Sequence, residues 1–216
     1  MFEQEKRRQG RPKSAEKRAL ILSAASKLFL KEGFTTTSMD RVAKESGVSK
    51  QTVYSHFSCK DSLFQAAITN KCKAYQLDSL QIDSASHNQT LEQYLTQVGS
   101  QFIRLLQDPD AVAVYRVIIA EAPNSSHVAD LFHQAGPKAS LDTLATAFKS
   151  YGKDKLSDAQ SLQLAYDFCG LLKGEFHMLL LCGLATPMTE PQIAAHVSDV
   201  VAKIICLFEY YWQTSV

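Results

Sequence analysis

The sequence lacks the residue patterns that mark most enzymes and metal proteins. Its five cysteines are an odd number without a Cys-x-x-Cys pair, which argues against a zinc site and against a disulfide scaffold. Its six histidines show no His-Glu-x-x-His pairing, and the chain has neither a glycine-rich phosphate loop nor a Gly-x-Ser-x-Gly elbow. We therefore expect no catalytic residues, no metal and no cofactor.

Long hydrophobic runs are absent as well. The longest apolar stretch, near residues 178–185, is too short to cross a bilayer, and the N-terminal residues show no signal-peptide pattern. Unpaired cysteines suit a reducing compartment. These features predict a cytoplasmic protein with no membrane partner, and 216 residues are enough to bury a core without disulfides.

Charge is present but is divided unevenly along the chain. Residues 1–60 carry 13 Lys and Arg against 6 Asp and Glu, a net charge of +7, whereas residues 61–216 carry 10 against 16, a net charge of −6. The near-neutral total of +1 hides this division. A polyanionic partner of the N-terminal part, such as DNA, explains the asymmetry directly.

Residues 1–13 form a basic arm ahead of the first predicted helix. Gly10 and Pro12 keep this arm extended rather than helical. Its side chains are suited to follow phosphates or to enter a narrow minor groove, and the best candidates are Arg8, Arg11 and Lys13. The alternative is a solvated chain end without a partner, which is the commoner fate of such segments.

Residues 33–60 predict two short helices joined by a tight turn. Thr37 is the expected cap of the first helix, with Asp40 completing a Thr-x-x-Asp capping box, and Gly47 supplies the left-handed turn residue. Ser49 then caps a second helix, whose outer face holds six hydrogen-bonding side chains and no acidic one: Lys50, Gln51, Thr52, Tyr54, Ser55 and His56. This is the layout of a helix-turn-helix recognition helix, although similar helix pairs also occur in bundles that bind no DNA.

The rest of the chain has helical patterning, so the predicted fold class is all-α. Periodicity and capping residues predict helices over 14–31, with Gly33 as the stop of the first, from Lys60 onward, and then over 90–107, 108–121, 125–135, 137–150, 157–181 and 189–213. Ser157 and Gln160 form a predicted capping box at the start of the helix over 157–181. We expect a flexible basic arm (1–13), a three-helix helix-turn-helix DNA-binding domain (14–60) and a C-terminal helical domain (61–216).

The N-terminal pattern resembles the TetR/AcrR family of transcriptional regulators. The resemblance covers residues 14–64 almost without a gap, whereas the remaining residues resemble the family only in being helical and of suitable length. It implies that the C-terminal helical domain (61–216) is a ligand-binding and dimerisation domain. The matching residues are Ile21, Ala24, Ala25, Leu28, Phe29, Gly33, Phe34, Thr37, Ser38, Met39, Val42, Ala43, Gly47, Val48, Ser49, Thr52, Tyr54, His56, Phe57, Lys60, Leu63 and Phe64.

The resemblance implies DNA-contacting roles for particular residues. Lys50, Gln51 and Tyr54 would face base edges in the major groove, and Lys50 is the best candidate for a guanine contact. The phosphate contacts would come from Thr37, Thr52, His56 and Lys60. Such groups at helix N-termini are suited to this role because backbone amides there already attract a phosphate. Tyr54 could instead donate to a phosphate, and His56 could form a structural hydrogen bond.

The last two predicted helices, 157–181 and 189–213, are more apolar than one face of a small bundle requires. Two such helices from each of two subunits would make a four-helix bundle, which matches the homodimer of the family. A dimer pairs two recognition helices and so reads a palindromic double-stranded DNA operator. The alternative is that this apolar surface is ordinary core.

A cavity for an unknown small-molecule effector is expected among the helices between 90 and 182, and polar groups inside it would be its diagnostic feature. Arg116 lies in the most apolar helix, where we expect it to pair with Glu121 or Glu175, because a buried charge needs a partner. The predicted lining residues are Phe102, Tyr115, Arg116, Phe168, Leu172, Glu175 and Phe176. The alternative is that these residues are ordinary core, which is the commoner role of such a set.

Together these features predict a dimeric, sequence-specific transcriptional regulator, most simply a repressor that a small molecule releases from its operator. Activation uses the same DNA contacts, and Cys59 beside Lys60 leaves redox control open. The contrasting class is a helical small-molecule-binding protein or enzyme whose basic module serves another purpose. That class lacks support, because the sequence holds no catalytic constellation.

Overall fold

The computed structural model describes residues 14–75, 89–123, 125–153 and 155–214. Over these residues the regular secondary structure is helical, which confirms the all-α prediction. The chain divides between Phe64 and Gln65 into two compact units. The predicted basic arm lies outside the described residues. Within the described ranges, no helix combines the length and apolar character needed to span a membrane.

The N-terminal unit holds three helices and the start of a fourth. These are α1 (Ala15–Thr36), α2 (Met39–Ser46), α3 (Lys50–His56) and α4 (Lys60–Ala74). The unit is held together by buried aliphatic side chains and three packed rings: Ile21, Ala25, Leu28, Val42, Val53, Leu63, Phe29, Phe34 and Phe64. These apolar positions lie on one face of each helix, so burial of that face fixes the arrangement of the unit.

The hydroxyl groups around α2 are placed differently from the prediction. Ser38, rather than Thr37, caps α2, and its hydroxyl accepts the backbone N–H of Arg41. Thr37 is buried and donates its hydroxyl to the carbonyl of Gly33 at 2.8 Å. Gly33 interrupts α1 with a φ of +80°, as expected of the predicted stop, and Thr37 satisfies the carbonyl at this interruption. The Thr37 capping box was therefore wrong by one residue.

Gly47 makes the turn between α2 and α3 in the left-handed region, with a φ of +69°. An added Cβ would meet no atom within 4 Å, so a substitution is opposed only by backbone strain. We expect Gly47→Ala to lower the free energy of unfolding by about 1 kcal/mol in urea titrations. Gly47→Asn should lose less, because asparagine tolerates this conformation better. Equal losses in the two variants would contradict this explanation.

The C-terminal unit is a helical bundle that begins within α4. It contains α5 (Leu91–Leu106), α6 (Pro109–Glu121), α7 (Ser126–His133), α8 (Ala139–Tyr151), α9 (Asp158–Leu181) and α10 (Glu190–Thr214). Its core is formed mainly by α5, α8, α9 and α10, with fully buried side chains such as Leu95, Ile103, Phe148, Leu164, Phe168, Leu172, Val197 and Ile204. The predicted Ser157–Gln160 capping box is present and starts α9.

The break predicted between helices 125–135 and 137–150 is instead a π-helical turn, Gln134–Lys138, that joins α7 to α8. Pro137 lies inside this turn, and proline has no N–H to donate to a regular α-helical ladder, so a widened turn lets the chain continue. Gly136 packs closely here, since a Cβ on it would lie 3.2 Å from Cγ2 of Ile68. Sequence patterning detected the irregularity but not its form.

Candidate DNA interface and effector cavity

The third helix, α3, presents a polar surface around its buried anchor, Val53. Val53 is fully buried, whereas Lys50 and Gln51 are exposed and Tyr54 is 45% exposed. Ser49 fixes the start of the helix by accepting the backbone N–H of Thr52 at 3.2 Å. The three residues predicted to contact bases therefore lie at the surface of one short, capped helix, although the contacts themselves stay predictions.

Lys50 forms an ion pair that the sequence reasoning missed. Its ammonium nitrogen lies 2.8 Å from Oδ1 and 2.9 Å from Oδ2 of Asp40 in α2, and both side chains are exposed. The hydrogen bond to Asp40 holds the pKa of Lys50 above its usual value, so the side chain is fully protonated at neutral pH. This pair could not be recognised from the sequence, because Asp40 belongs to the neighbouring helix.

Asp40 should therefore compete with DNA for Lys50. We expect Asp40→Asn to tighten DNA binding by about two- to fivefold at low salt, because Lys50 would no longer have to leave its partner before it binds DNA. The gain is small because an exposed ion pair is weak. Fluorescence anisotropy on a fixed duplex would measure this. The matched control is Glu45→Gln, which removes the same charge from an exposed position of α2. An equal effect in the control would show that net charge alone is responsible.

Two of the predicted phosphate contacts have their polar groups engaged within the protein. The ammonium group of Lys60 donates to the carbonyls of Phe34 at 2.8 Å and Thr35 at 3.2 Å. It also lies 4.3 Å from the centroid of the Phe34 ring. The buried Thr37 hydroxyl is already used by Gly33. Both side chains thus stabilise the end of α1 in this structure, and a phosphate would have to compete for them.

The other two predicted phosphate contacts are half-buried in α3. The Thr52 hydroxyl lies 2.8 Å from the Ser49 hydroxyl, and the His56 ring lies 6.3 Å from the Phe57 ring. Ser38, exposed at the start of α2, is a further candidate for a phosphate contact. It was not among the predicted contacts because the cap of α2 had been assigned to Thr37. Its signal in the sequence was a second hydroxyl residue directly after Thr37.

Cys59 lies immediately before α4 and is exposed. A hydrogen bond from the backbone N–H of Ser62 is the main cause that lowers the pKa of its thiol, with a smaller contribution from the Ser62 hydroxyl. The adjacent Lys60 is not among the causes of this shift, and its ammonium group binds backbone carbonyls instead. Redox control through Cys59 stays a prediction.

In the C-terminal unit, a narrow cavity lies among α5, α8 and α9. Its lining residues are Tyr94, Val98, Phe102, Ser140, Thr143, Leu144, Phe168 and Cys169. Phe102 and Phe168 were predicted to line an effector site. The polar residues Tyr94, Ser140 and Thr143 were missed, because single hydroxyl residues on amphipathic helices carry no distinctive pattern.

Other predicted lining residues lie elsewhere in the unit. Tyr115 packs edge-on against Phe132 and against His177, with ring centroids 5.1 Å and 4.9 Å away. Burial raises the pKa of Tyr115 to about 12 and lowers the pKa of His177 to about 4, so both are uncharged at neutral pH. Leu172 is fully buried in the core, Phe176 is half-buried and Glu175 is exposed.

The predicted pairing of Arg116 was wrong. Arg116 is exposed, and its guanidinium donates to the carbonyl of Leu181 at 2.8 Å and to that of Leu180 at 3.2 Å. These carbonyls belong to the last turn of α9, where a helix leaves acceptors unsatisfied and carries partial negative charge. Arg116 therefore binds the end of α9 instead of a carboxylate of Glu121 or Glu175.

Asp108 connects α4 to the start of α6. Its carboxylate lies 2.7 Å from the ammonium group of Lys71, accepts the hydroxyl of Tyr75 at 2.5 Å, and caps α6 by accepting two backbone N–H groups. Burial acts in the opposite direction, but hydrogen bonds from Lys71 and Tyr75 hold the pKa of Asp108 below its usual value. From the sequence, Asp108 is recognisable only as part of a helix start.

This arrangement predicts a pH-dependent contribution to stability. Because the folded pKa of Asp108 is depressed, its contribution is present above the unfolded pKa of about 4 and is lost as pH falls through the folded value. Asp108→Asn keeps a capping side chain but removes the charge, so we expect a loss of about 1 kcal/mol at pH 7 that shrinks in acid. Urea unfolding at several pH values measures this, and a pH-independent loss would contradict the explanation.

The helices α9 and α10 expose several large apolar side chains. These are Tyr166, Leu171 and Met178 on α9, and Leu207, Tyr210 and Trp212 on α10, with exposures between 36% and 62%. The exposed face of α10 also contains small residues such as Ala195 and Ala202, which permit close approach of another helix. An apolar surface of this kind on two adjacent helices is typical of a protein interface.

Comparison with known families agrees with this geometry and defines a helix-turn-helix DNA-binding regulator. Residues 21–67 match the family model described as "Bacterial regulatory proteins, tetR family". Residues 93–209 match the model described as "AefR-like transcriptional repressor, C-terminal domain". The second match alone covers more than half of the chain. The protein belongs to the TetR family of transcriptional regulators, as the sequence resemblance predicted.

Curated relatives are similar to the chain mainly in the N-terminal region. The HTH-type transcriptional regulator YhgD of Bacillus subtilis is 42% identical over 60 residues, which are 28% of this chain and 31% of YhgD. The HTH-type transcriptional activator FasR of Mycolicibacterium smegmatis is 40% identical over 62 residues, which are 29% of this chain and 28% of FasR. The chain thus matches about a third of the length of these relatives.

Solved structures are similar over most of the chain. A TetR-family regulator from Mesorhizobium loti superposes with a TM-score of 0.71 at 24% identity, covering 91% of this chain and 98% of that one. The flavonoid-responsive regulator FrrA superposes with a TM-score of 0.68 at 29% identity, covering 89% of this chain and 97% of FrrA. The similarity to the first structure establishes the fold. The second structure has the same fold and is described as a regulator that responds to flavonoids.

Proposed function

We propose that this protein is a homodimeric repressor that binds a palindromic operator in the cytoplasm and is released by a small molecule. The observation that carries the proposal is α3, which is short, capped at Ser49 and anchored by buried Val53. Lys50, Gln51 and Tyr54 are exposed on it, and Lys50 can reach the major groove once it leaves its exposed ion pair with Asp40. The basic balance of residues 1–60 supports a DNA partner.

Within this proposal, Lys50, Gln51 and Tyr54 contact bases, while Thr52 and His56 contact phosphates. Ser38 at the start of α2 is a better phosphate candidate than Thr37, whose hydroxyl is buried. The basic arm contributes Arg8, Arg11 and Lys13 to the minor groove, and these three lie outside the described residues. Residues 14–60 would then form the DNA-binding domain, and residues 61–216 the effector and dimerisation domain.

Dimerisation through α9 and α10 is supported by the apolar side chains that these helices expose. A second copy of the chain would cover them and complete a four-helix bundle. This arrangement gives the protein two recognition helices related by two-fold symmetry, which is the requirement for reading a palindrome. Repression is the favoured mode because the C-terminal region matches a domain described as that of a repressor.

Control by a small molecule would act through α4, which contains the boundary between the two units. Lys71 and Tyr75 near its end are held by Asp108 at the start of α6, so a shift of α6 would be transmitted to α4. The similar regulator FrrA is described as flavonoid-responsive, and we propose flavonoids as one class of effector to test. Effector and DNA must then weaken each other's binding by the same factor at equilibrium.

Selection of DNA from a random duplex library with the purified full-length protein tests the proposal. We expect recovery of one palindromic sequence, because two symmetry-related α3 helices impose inverted half-sites. The same selection with Lys50→Ala provides the control, since it should yield a degenerate or weakened motif. Failure to enrich any sequence at low salt, where phosphate contacts are strongest, would contradict the proposal.

A further inference from the structure

Tyr94 carries a hydroxyl group in the core with no hydrogen-bond partner among the described residues. The residue is only 2% exposed and lines the narrow cavity among α5, α8 and α9. Burying a hydroxyl without a partner costs about 1–3 kcal/mol, so phenylalanine would be the more stable choice for packing alone. A polar partner that enters the cavity would explain why a tyrosine stands here.

The other polar groups that line this cavity are uncharged. They come from Ser140, from Thr143, whose hydroxyl donates to the Ala139 carbonyl at 2.9 Å, and from the thiol of Cys169. Burial raises the pKa of Cys169 to about 11 and that of Tyr94 to about 12, so both keep their protons at neutral pH.

No lysine, arginine, histidine, aspartate or glutamate is among the described residues that line this cavity. An ionised ligand would therefore lose its hydration without gaining a counter-charge, which is unfavourable in a buried site. The remaining lining is apolar and partly aromatic, from Val98, Phe102, Leu144 and Phe168. Aromatic rings make favourable edge-to-face and offset contacts with such side chains.

We propose that this cavity is the effector site and that it takes an uncharged aromatic molecule with an oxygen that hydrogen-bonds to Tyr94. The cavity is narrow, so binding must displace side chains, and the half-buried Phe102 has more freedom to move than the fully buried Phe168. The regulatory meaning of the site rests on the proposed function. The binding step itself needs no DNA, and it can be tested separately.

Acetophenone and benzoate are suitable probes because they are similar in size and shape, and only benzoate is charged at pH 7.5. Ligand-observed NMR titrations with the full-length protein detect binding of such small molecules. We expect acetophenone to bind at least tenfold more tightly than benzoate. Tyr94→Phe should weaken acetophenone binding by about tenfold, the value of one hydrogen bond, while the protein stays folded with an equal or higher melting temperature.

Tyr151→Phe is the matched control. Its ring lies 5.7 Å from that of Tyr94, but its hydroxyl donates to the Gln89 carbonyl at 3.3 Å and is not part of the cavity lining. We expect this variant to bind acetophenone like the wild type. Equal binding of the two probes, unchanged affinity in Tyr94→Phe or no binding of acetophenone would each overturn the proposal. DNA selection is unaffected by these results, so a failure here is distinguishable from failure of the proposed function.

Discussion

Lys50→Ala should abolish most of the sequence preference of this protein while leaving its fold intact. A lysine or arginine contact to guanine contributes about 1–3 kcal/mol of discrimination, and a dimer would lose one such contact in each half-site. The expected loss of operator affinity is therefore about 100-fold or more, whereas binding to unrelated DNA should fall only slightly. Anisotropy titrations with the selected operator and with a scrambled duplex measure both quantities.

The fold should survive this substitution because Lys50 is exposed and loses only its ion pair with Asp40. Lys27→Ala is the matched control: it removes the same charge from an exposed position of α1 in the same unit. It should change operator and scrambled duplex affinities by similar, small factors. A Lys50→Ala protein with the same ratio of operator to scrambled affinity as the control would contradict the assignment of α3 as the helix that reads bases.

Leu207→Glu should convert the protein into a monomer that binds its operator weakly. Leu207 is 36% exposed on α10, so a glutamate can be accommodated in the isolated chain but would place a charge in the proposed apolar interface. Linking two binding modules raises overall affinity by about 100- to 10,000-fold, and a monomer loses this gain. Analytical ultracentrifugation and operator titration should show both losses together.

The matched control for this variant is Ile119→Glu. Ile119 is 57% exposed on α6, outside the two helices proposed to dimerise, so the same change in charge should leave the oligomeric state unaltered. Dimerisation of Leu207→Glu at wild-type concentrations would show that this part of α10 is not in the interface. Monomerisation of Ile119→Glu would instead place the interface on α6.

Local patterns predicted the helices well because helix caps and apolar periodicity depend on residues that are close together in the sequence. Ser157 and Gln160 start α9 as expected, and Gly33 and Gly47 interrupt the chain at the expected places. The cap of α2 was misplaced because Thr37 and Ser38 are both suitable residues. Only the tertiary position of the Gly33 carbonyl decides that Thr37 turns inward and Ser38 becomes the cap.

Contacts between helices were the part that sequence could not supply. Lys50 meets Asp40, Lys60 meets the end of α1, and Arg116 meets the end of α9. In each case the partner of the cationic side chain is either distant in sequence or a backbone carbonyl. Every residue has a backbone carbonyl, so the sequence does not show which one is bound. The unpartnered hydroxyl of Tyr94 could not be predicted from the sequence either, because only the packing of the helices shows that no polar group of the described residues reaches it.

The most direct test of the central claim compares binding to the full selected operator with binding to a single half-site, at several salt concentrations. A dimeric, sequence-specific regulator should bind the palindrome as one dimer per site and at least about 100-fold more tightly than the half-site. Its affinity should also fall steeply as salt rises, because phosphate contacts release counterions. Equal affinity for the palindrome and the half-site, or affinity independent of sequence, would contradict the claim.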